Sequence, residues 1–337
     1  MQINWVAYRF IGNDGYGRYG THLIRALRKL GVTVRPTVSQ MLYDAPRDIL
    51  SLTGLDFSDI SVFLLPPVVI KEAPPPRSWI YTMHEDSVLP PGWVETINQF
   101  ERCLVPCEYN AVTFRESGVK VPIDVVYGGT NPDEFPVQDG ARPERPYTYL
   151  TLSDRGIRKG WDAVWGAWYK AFPENLTDVK LIVKGRPEMM PPWFSPDAVP
   201  DKRIEFWLDN VGDMNEVFRQ ADCVVYPARG DGWGMFWREA AMTGLPAIVL
   251  DYSGNSVGVD EAAIPLKKYH LRESMLDYSK GEWAEPDQDE IAERMSWCYQ
   301  NQQTARDKGR QAARWLRENQ TWDHSARQLV ALLEQHS

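Results

Sequence analysis

Cysteine is scarce in this sequence. Four occur among 337 residues, Cys103, Cys107, Cys223 and Cys298, with no CxxC pair and no metal-site spacing to the five histidines. A disulfide framework and a cysteine–histidine metal site are therefore not expected; buried free thiols are. Long apolar runs are also missing, and no segment approaches the roughly 20 residues of a membrane-spanning helix. Met1-Gln2-Ile3-Asn4-Trp5-Val6 runs straight into a strand pattern without a basic leader or cleavage site, so a cytoplasmic location is expected. Basic charge is in deficit: 37 Lys plus Arg against 46 Asp plus Glu give −9, which argues against a general affinity for nucleic-acid phosphates and leaves room for a local basic cleft. Low complexity is confined to Pro74-Pro75-Pro76, and no internal repeat is found beyond the alternation described next.

What is present is the balance of a globular protein, 43% hydrophobic and 25% charged. The length exceeds one ordinary core and suits two domains of about 150 residues each. Short apolar runs at 2–8, 32–38, 61–65, 78–83, 102–105 and 123–126 are separated by helical patterns such as Tyr19–Leu30 and Tyr109–Glu116. After the polar, proline-bearing Gly140-Ala141-Arg142-Pro143-Glu144-Arg145-Pro146 the rhythm restarts. Strands are expected at 147–152, 179–184, 204–208, 222–226 and 246–250, and helices at 160–172, 213–220 and 236–243. Three helical patterns, at 287–301, 303–318 and 322–335, close the chain. This alternation predicts an α/β fold of two doubly wound, Rossmann-like domains, 1–140 and 141–320, followed by a terminal helix over 321–337. Their binding surfaces are expected at the carboxyl ends of the strands, facing one another across a crevice.

The richest stretch is Gly230-Asp231-Gly232-Trp233-Gly234-Met235-Phe236-Trp237-Arg238-Glu239. The strand Cys223-Val224-Val225-Tyr226-Pro227 precedes it and a helix follows, so Gly232 and Gly234 fall where exposed backbone amides attract anions. Asp231 and Glu239, eight residues apart, could accept hydrogen bonds from sugar and ribose hydroxyls. Alternatively, Asp231 only caps the helix and Glu239 is a solvated helix residue.

This segment resembles the E-x7-E donor motif of retaining family 4 glycosyltransferases of GT-B fold, with Asp231 in place of the first Glu and Glu239 matching the second. The resemblance extends to His84-Glu85-Asp86-Ser87-Val88-Leu89-Pro90-Pro91-Gly92-Trp93-Val94, to Val105-Pro106-Cys107-Glu108-Tyr109-Asn110, and to Asn319-Gln320-Thr321-Trp322-Asp323, after which the family's last helix returns to brace the N-terminal domain. It implies donor binding by Gly232, Trp233, Gly234, Met235, Phe236 and Glu239. Arg158 and Lys159, in Arg155-Gly156-Ile157-Arg158-Lys159-Gly160-Trp161, match the arginine and lysine that hold the donor diphosphate, and Arg155 competes for the arginine role. Cations cluster poorly at a helix N-terminus unless an anion meets them. The bland reading is a solvated basic turn.

His84, at the end of the strand Trp79–Met83, matches a histidine that contacts the transferred sugar; a satisfied structural histidine is the alternative. The resemblance places Asp86 and Tyr16 with the acceptor, and Gly15 and Gly17 in a first loop where donor phosphate approaches backbone. It thus casts Arg158, Lys159, His84 and Asp231 as catalytic. Gly15-Tyr16-Gly17-Arg18-Tyr19-Gly20 also satisfies GxGxxG. However, six residues separate it from the first strand, and no acidic residue closes the second, so a nicotinamide or flavin dinucleotide is disfavoured. In Gly128-Gly129-Thr130-Asn131-Pro132, Asn131 stands where the family has aspartate. Asp287-Gln288-Asp289 reads as the acidic start of a helix and not as a metal motif. Among the tryptophans, Trp233 and Trp237 are candidates to stack on a sugar, whereas Trp165 and Trp168 read as core.

The expected activity is retaining transfer of a sugar from a nucleoside diphosphate sugar to a hydroxyl acceptor on a glycan, a lipid-linked or a small molecule, with no metal and no cofactor. Two alternatives stand beside it. One is a catalytically silent sugar-nucleotide-binding protein, motivated by Asp231 and Asn131. The other is an enzyme acting on modified nucleic-acid bases, which the net charge disfavours.

Overall fold

The computed structural model describes residues 1–8, 10, 15–38, 47–50, 59–138, 144–154, 156–190 and 195–336. The chain divides into two compact units. The first comprises Met1–Asn131, Leu276–Gly281 and Asn319–Ser337, and the second Pro132–Met275 and Glu282–Glu318. Most of the linker expected around residue 140 lies outside the described residues.

In chain order the first unit holds β1 (Gln2–Ala7), α1 (Gly15–Lys29), β2 (Thr33–Val38), α2 (Arg47–Leu50), β3 (Ile60–Leu64), β4 (Ser78–Tyr81), α3 (Trp93–Ile97), β5 (Arg102–Val105), α4 (Glu108–Glu116) and β6 (Ile123–Val125). Its six strands are parallel in the order β2-β1-β3-β4-β5-β6. The near-continuous apolar runs of β1 and β4 follow from burial on both faces, as parallel strands require. Val6, Ile80, Trp93, Ile97, Phe100, Val105 and Phe114 form one core cluster. The sheet order reverses between β1 and β3.

Helix α1 corrects one expectation. It begins at Gly15, so Gly15–Gly20 form its first turns and not a loop ahead of it. A Cβ at Gly20 would come within 3.0 Å of the Leu64 side chain. Gly20 therefore lets α1 lie close against the end of β3.

The second unit holds β7 (Tyr147–Ser153), α5 (Trp161–Ala171), β8 (Val179–Gly185), β9 (Ile204–Trp207), α6 (Met214–Phe218), β10 (Cys223–Tyr226), α7 (Met235–Met242), β11 (Ala247–Leu250), α8 (Val259–Ala262), β12 (Ile264–Leu266), β13 (Tyr269–Glu273), β14 (Glu282–Pro286), α9 (Gln288–Gln300) and α10 (Gln302–Asn319). Its main sheet is again parallel, in the order β12-β11-β10-β7-β8-β9, and β13 and β14 pair as an antiparallel ribbon. All four cysteines are buried and free.

The last helix, α11 (Trp322–Gln335), belongs to the first unit. Trp322 meets Tyr19 edge-on and stacks on His22, both from α1. A β-bridge joins Thr130 to Thr321, and Gln328 accepts from the Tyr127 N–H at 2.9 Å.

Candidate active site

In doubly wound sheets ligands gather at the carboxyl ends of the strands where the strand order reverses. In the second unit that point lies between β7 and β10. The turn Gly156–Lys159 follows β7 and carries Arg158 and Lys159, both buried; Arg155 lies outside the described residues. Beyond β10 come Arg229, Gly230 and Asp231, then α7.

The two segments are stitched together. Lys159 Nζ is 2.5 Å from Asp231 Oδ2 and donates to the Tyr226 hydroxyl at 2.7 Å; that hydroxyl donates in turn to Asp231 at 2.5 Å. Arg158 donates to the Gly230 carbonyl at 2.7 Å, and the Arg229 N–H donates to the Arg158 carbonyl at 2.9 Å. Burial and neighbouring Arg158 pull Lys159 below its ordinary pKa, with Asp231 opposing. Burial works against the Asp231 carboxylate, yet Lys159 and Arg158 outweigh it and hold its pKa well below the usual range. Burial, reinforced by Asp231, pushes the Tyr226 phenol well up, so it remains a donor. Lys159 has three N–H donors; Asp231 and Tyr226 occupy two, which leaves one for an anion.

Asp231 Oδ1 also accepts from the Gly234 N–H at 3.1 Å, which closes the turn into α7. Gly234 is the N-cap in the left-handed region at φ 77°. A Cβ there would sit 2.2 Å from Asn255 Oδ1. Gly234→Ala is accordingly expected to destabilise the protein by more than about 2 kcal/mol, read as a lower urea midpoint at unchanged slope. The N–H groups of Met235 and Phe236 open the helix, among those an α-helix cannot satisfy internally. Gly232 precedes them in the buried turn. Glu239 lies one turn further on, buried.

Trp233 and Trp237 are not placed to stack on a sugar. Both are about 1% exposed or less. Their rings lie 4.0 and 4.3 Å from the Arg238 guanidinium, with which they form a buried sandwich. Arg238 donates to the carbonyls of Trp233, Gly234 (3.3 Å), Gly254 (3.2 Å) and Val257 (2.6 Å). Sequence reasoning passed over this cation, although it is embedded in the motif. It also missed Arg229, which holds Asp162 and Glu285 by bidentate pairs. Ser253, whose Oγ accepts from the Asp231 N–H at 2.9 Å, was missed too and has no sequence signal beyond a Ser-Gly-Asn turn.

In the first unit, Gly15, Tyr16 and Gly17 form the first turn of α1. The Tyr16 hydroxyl reaches Thr82 Oγ1 at 3.1 Å and accepts from the Met83 N–H at 3.3 Å, past the end of β4. His84 follows, fully buried, with Nε2 2.7 Å from Asp86 Oδ1. Asp86, expected at the acceptor, is itself fully buried.

Among the described residues, no group of three His, Cys, Asp or Glu is arranged to hold a metal ion, and no helix is long and apolar enough to cross a membrane. Asp287 caps α9 by accepting from the Glu290 N–H at 2.7 Å, and Asp289 pairs with Lys170 at 2.7 Å.

Residues 203–329 match the model of the family described as Family 4 Glycosyltransferase in conflict systems. No curated protein matches the chain in sequence. Among solved structures, sucrose-phosphate synthase from Thermosynechococcus elongatus aligns with a TM-score of 0.70 and 14% identity over 99% of both chains. WaaG, a glycosyltransferase involved in lipopolysaccharide biosynthesis, aligns at 0.69 and 13% over 98% of this chain and 99% of its own. HepE of Anabaena, in complex with UDP and glucose, aligns at 0.68 and 12% over 99% and 100%. Residues 203–329 thus match a family 4 glycosyltransferase model, and the two-unit α/β fold is that of GT-B glycosyltransferase structures.

Proposed function

We propose that the protein transfers a sugar, with retention of anomeric configuration, from a nucleoside diphosphate sugar to a hydroxyl acceptor on a glycan, a lipid-linked or a small molecule. The observation that carries this reading is the pair of buried cations Arg158 and Lys159 beside the first turn of α7, at the point where the strand order reverses. Fixed positive charge in a desolvated place is suited to a diphosphate leaving group. HepE was solved with UDP and glucose, and another neighbour, described as trehalose-6-phosphate from E. coli, with UDP-2-fluoro glucose, which supports a donor of this class here.

In this reading, the bond from the anomeric carbon to the donor phosphate breaks as the acceptor oxygen bonds to the same face, and the acceptor proton passes to the departing phosphate oxygen. No side chain acts as nucleophile. Lys159 and Arg158 meet the growing charge, Asp231 holds Lys159 in place, and Glu239 accepts from donor hydroxyls. Thermal shifts against UDP, GDP, ADP and their common sugars identify the donor, because a bound ligand stabilises the folded state according to its occupancy. NMR of the product then reads the anomeric configuration, and an inverted product would refute the mechanism.

Glu239→Ala is expected to weaken donor binding by about 1–3 kcal/mol with the fold retained, as measured by calorimetry. Equal affinities would remove Glu239 from donor recognition. Activity is expected to persist in excess EDTA with extensively dialysed enzyme, because the two cations and the α7 amides carry the leaving-group charge. Sugar transfer and free nucleotide should be followed together. Loss restored by magnesium or manganese would overturn the metal-free mechanism.

A further inference from the structure

The two ring nitrogens of His84 have different surroundings. Nε2 is 2.7 Å from Asp86 Oδ1, whereas Nδ1 has no hydrogen-bond partner, with the Glu85 carboxylate 3.7 Å away. The same Asp86 oxygen accepts from the Val88 N–H at 3.1 Å and from the Ser279 hydroxyl at 2.9 Å. Ser279 Oγ also lies 2.8 Å from the Val88 carbonyl oxygen, so its single proton is shared between two acceptors. Ser279 belongs to Leu276–Gly281, the link between β13 and β14, which groups with the first unit. On the main-chain side, Asn110 clamps His84, with Nδ2 donating to its carbonyl at 2.7 Å and Oδ1 facing its N–H at 3.4 Å. The imidazole edge meets Trp93.

We propose that Asp86 is a positioning residue and not an acceptor ligand. It accepts a hydrogen bond from Nε2–H, the tautomer in which Nδ1 carries the lone pair that accepts from a sugar hydroxyl, and the Ser279 hydroxyl approaches Asp86 from 193 residues along the chain. A carboxylate on one imidazole nitrogen sets the tautomer and thereby the role of the other. The identity of the hydroxyl rests on the glycosyl-transfer reading; the tautomer does not.

The test is a two-bond proton–nitrogen NMR spectrum of the histidine-labelled protein at pH 7, with His84 assigned from a His84→Gln variant. The Nε2–H tautomer is expected in the parent and in Asp86→Asn, which retains Oδ1, and a mixed or Nδ1–H population in Asp86→Ala. Asp86→Ala is expected to lower kcat by about 100-fold with donor KM changed less than about threefold, and Asp86→Asn to recover to within about tenfold of the parent. Ser279→Ala should fall between parent and Asp86→Ala. An Nδ1–H parent, or an Asp86→Ala variant with parental tautomer and full kcat, overturns the proposal. Should Asp86→Ala not fold, the parent spectrum and Ser279→Ala decide it. A parent that turns over no nucleotide sugar defeats the transfer reading, while the spectra still decide the role of Asp86.

Discussion

An Arg238→Met variant is expected to lose about 3–5 kcal/mol of stability, the range for removing one member of a buried, hydrogen-bonded charge network. Arg238 is fully buried and serves four carbonyls from two segments, the start of α7 and the Gly254–Val257 turn. Methionine could fill the slot between Trp233 and Trp237, so packing is largely retained and the loss falls on the orphaned carbonyls. The cation–π contacts to both indoles go as well, each about 0.5–2 kcal/mol. Urea unfolding should show the full shift, and Arg310→Ala provides the comparison: its pair with Asp307 is half-exposed, so a change within about 0.5 kcal/mol is expected. If the two variants shift alike, Arg238 is not a hub.

The second large effect concerns turnover. Lys159→Ala is expected to lower kcat by about 10²–10³, the magnitude of losing one preorganised charge-stabilising donor, and to change the donor KM much less. In the proposed transfer the lysine would meet a charge that grows as the diphosphate departs, which is why the effect is expected in the transition state. Removing it also strands the buried Asp231 carboxylate, which would cost stability independently of chemistry. Lys159→Ala combined with Asp231→Asn separates the two, since the double variant should regain stability without regaining turnover. A KM effect alone would reduce Lys159 to uniform binding.

The central parallel strands were legible because they are buried on both faces, and an apolar run such as Tyr147–Leu152 admits few other readings. The β13–β14 ribbon was not. Tyr269–Glu273 is exposed at nearly every position, so its side chains obey no burial pattern, and its partner strand lies beyond an intervening link. Asp231, Lys159 and Arg158 were singled out from sequence, and the structure brings them together. Trp233 and Trp237 were misread because stacking tryptophans on a ligand and stacking them on a buried arginine look alike in one dimension. The contact between His84 Nε2 and Asp86 and the approach of Ser279 to the same carboxylate appear only in three dimensions, since no local spacing connects Ser279 to Asp86.

The first unit is built from both ends of the chain, with α11 covering Tyr19 and His22 and Thr321 bridging to Thr130. On the ribosome, the second unit therefore has all its pieces before the first one does. Synthesis that stops short of Asn319 would leave α1 without its final cover, so nascent chains arrested there should be cleaved first within the first unit.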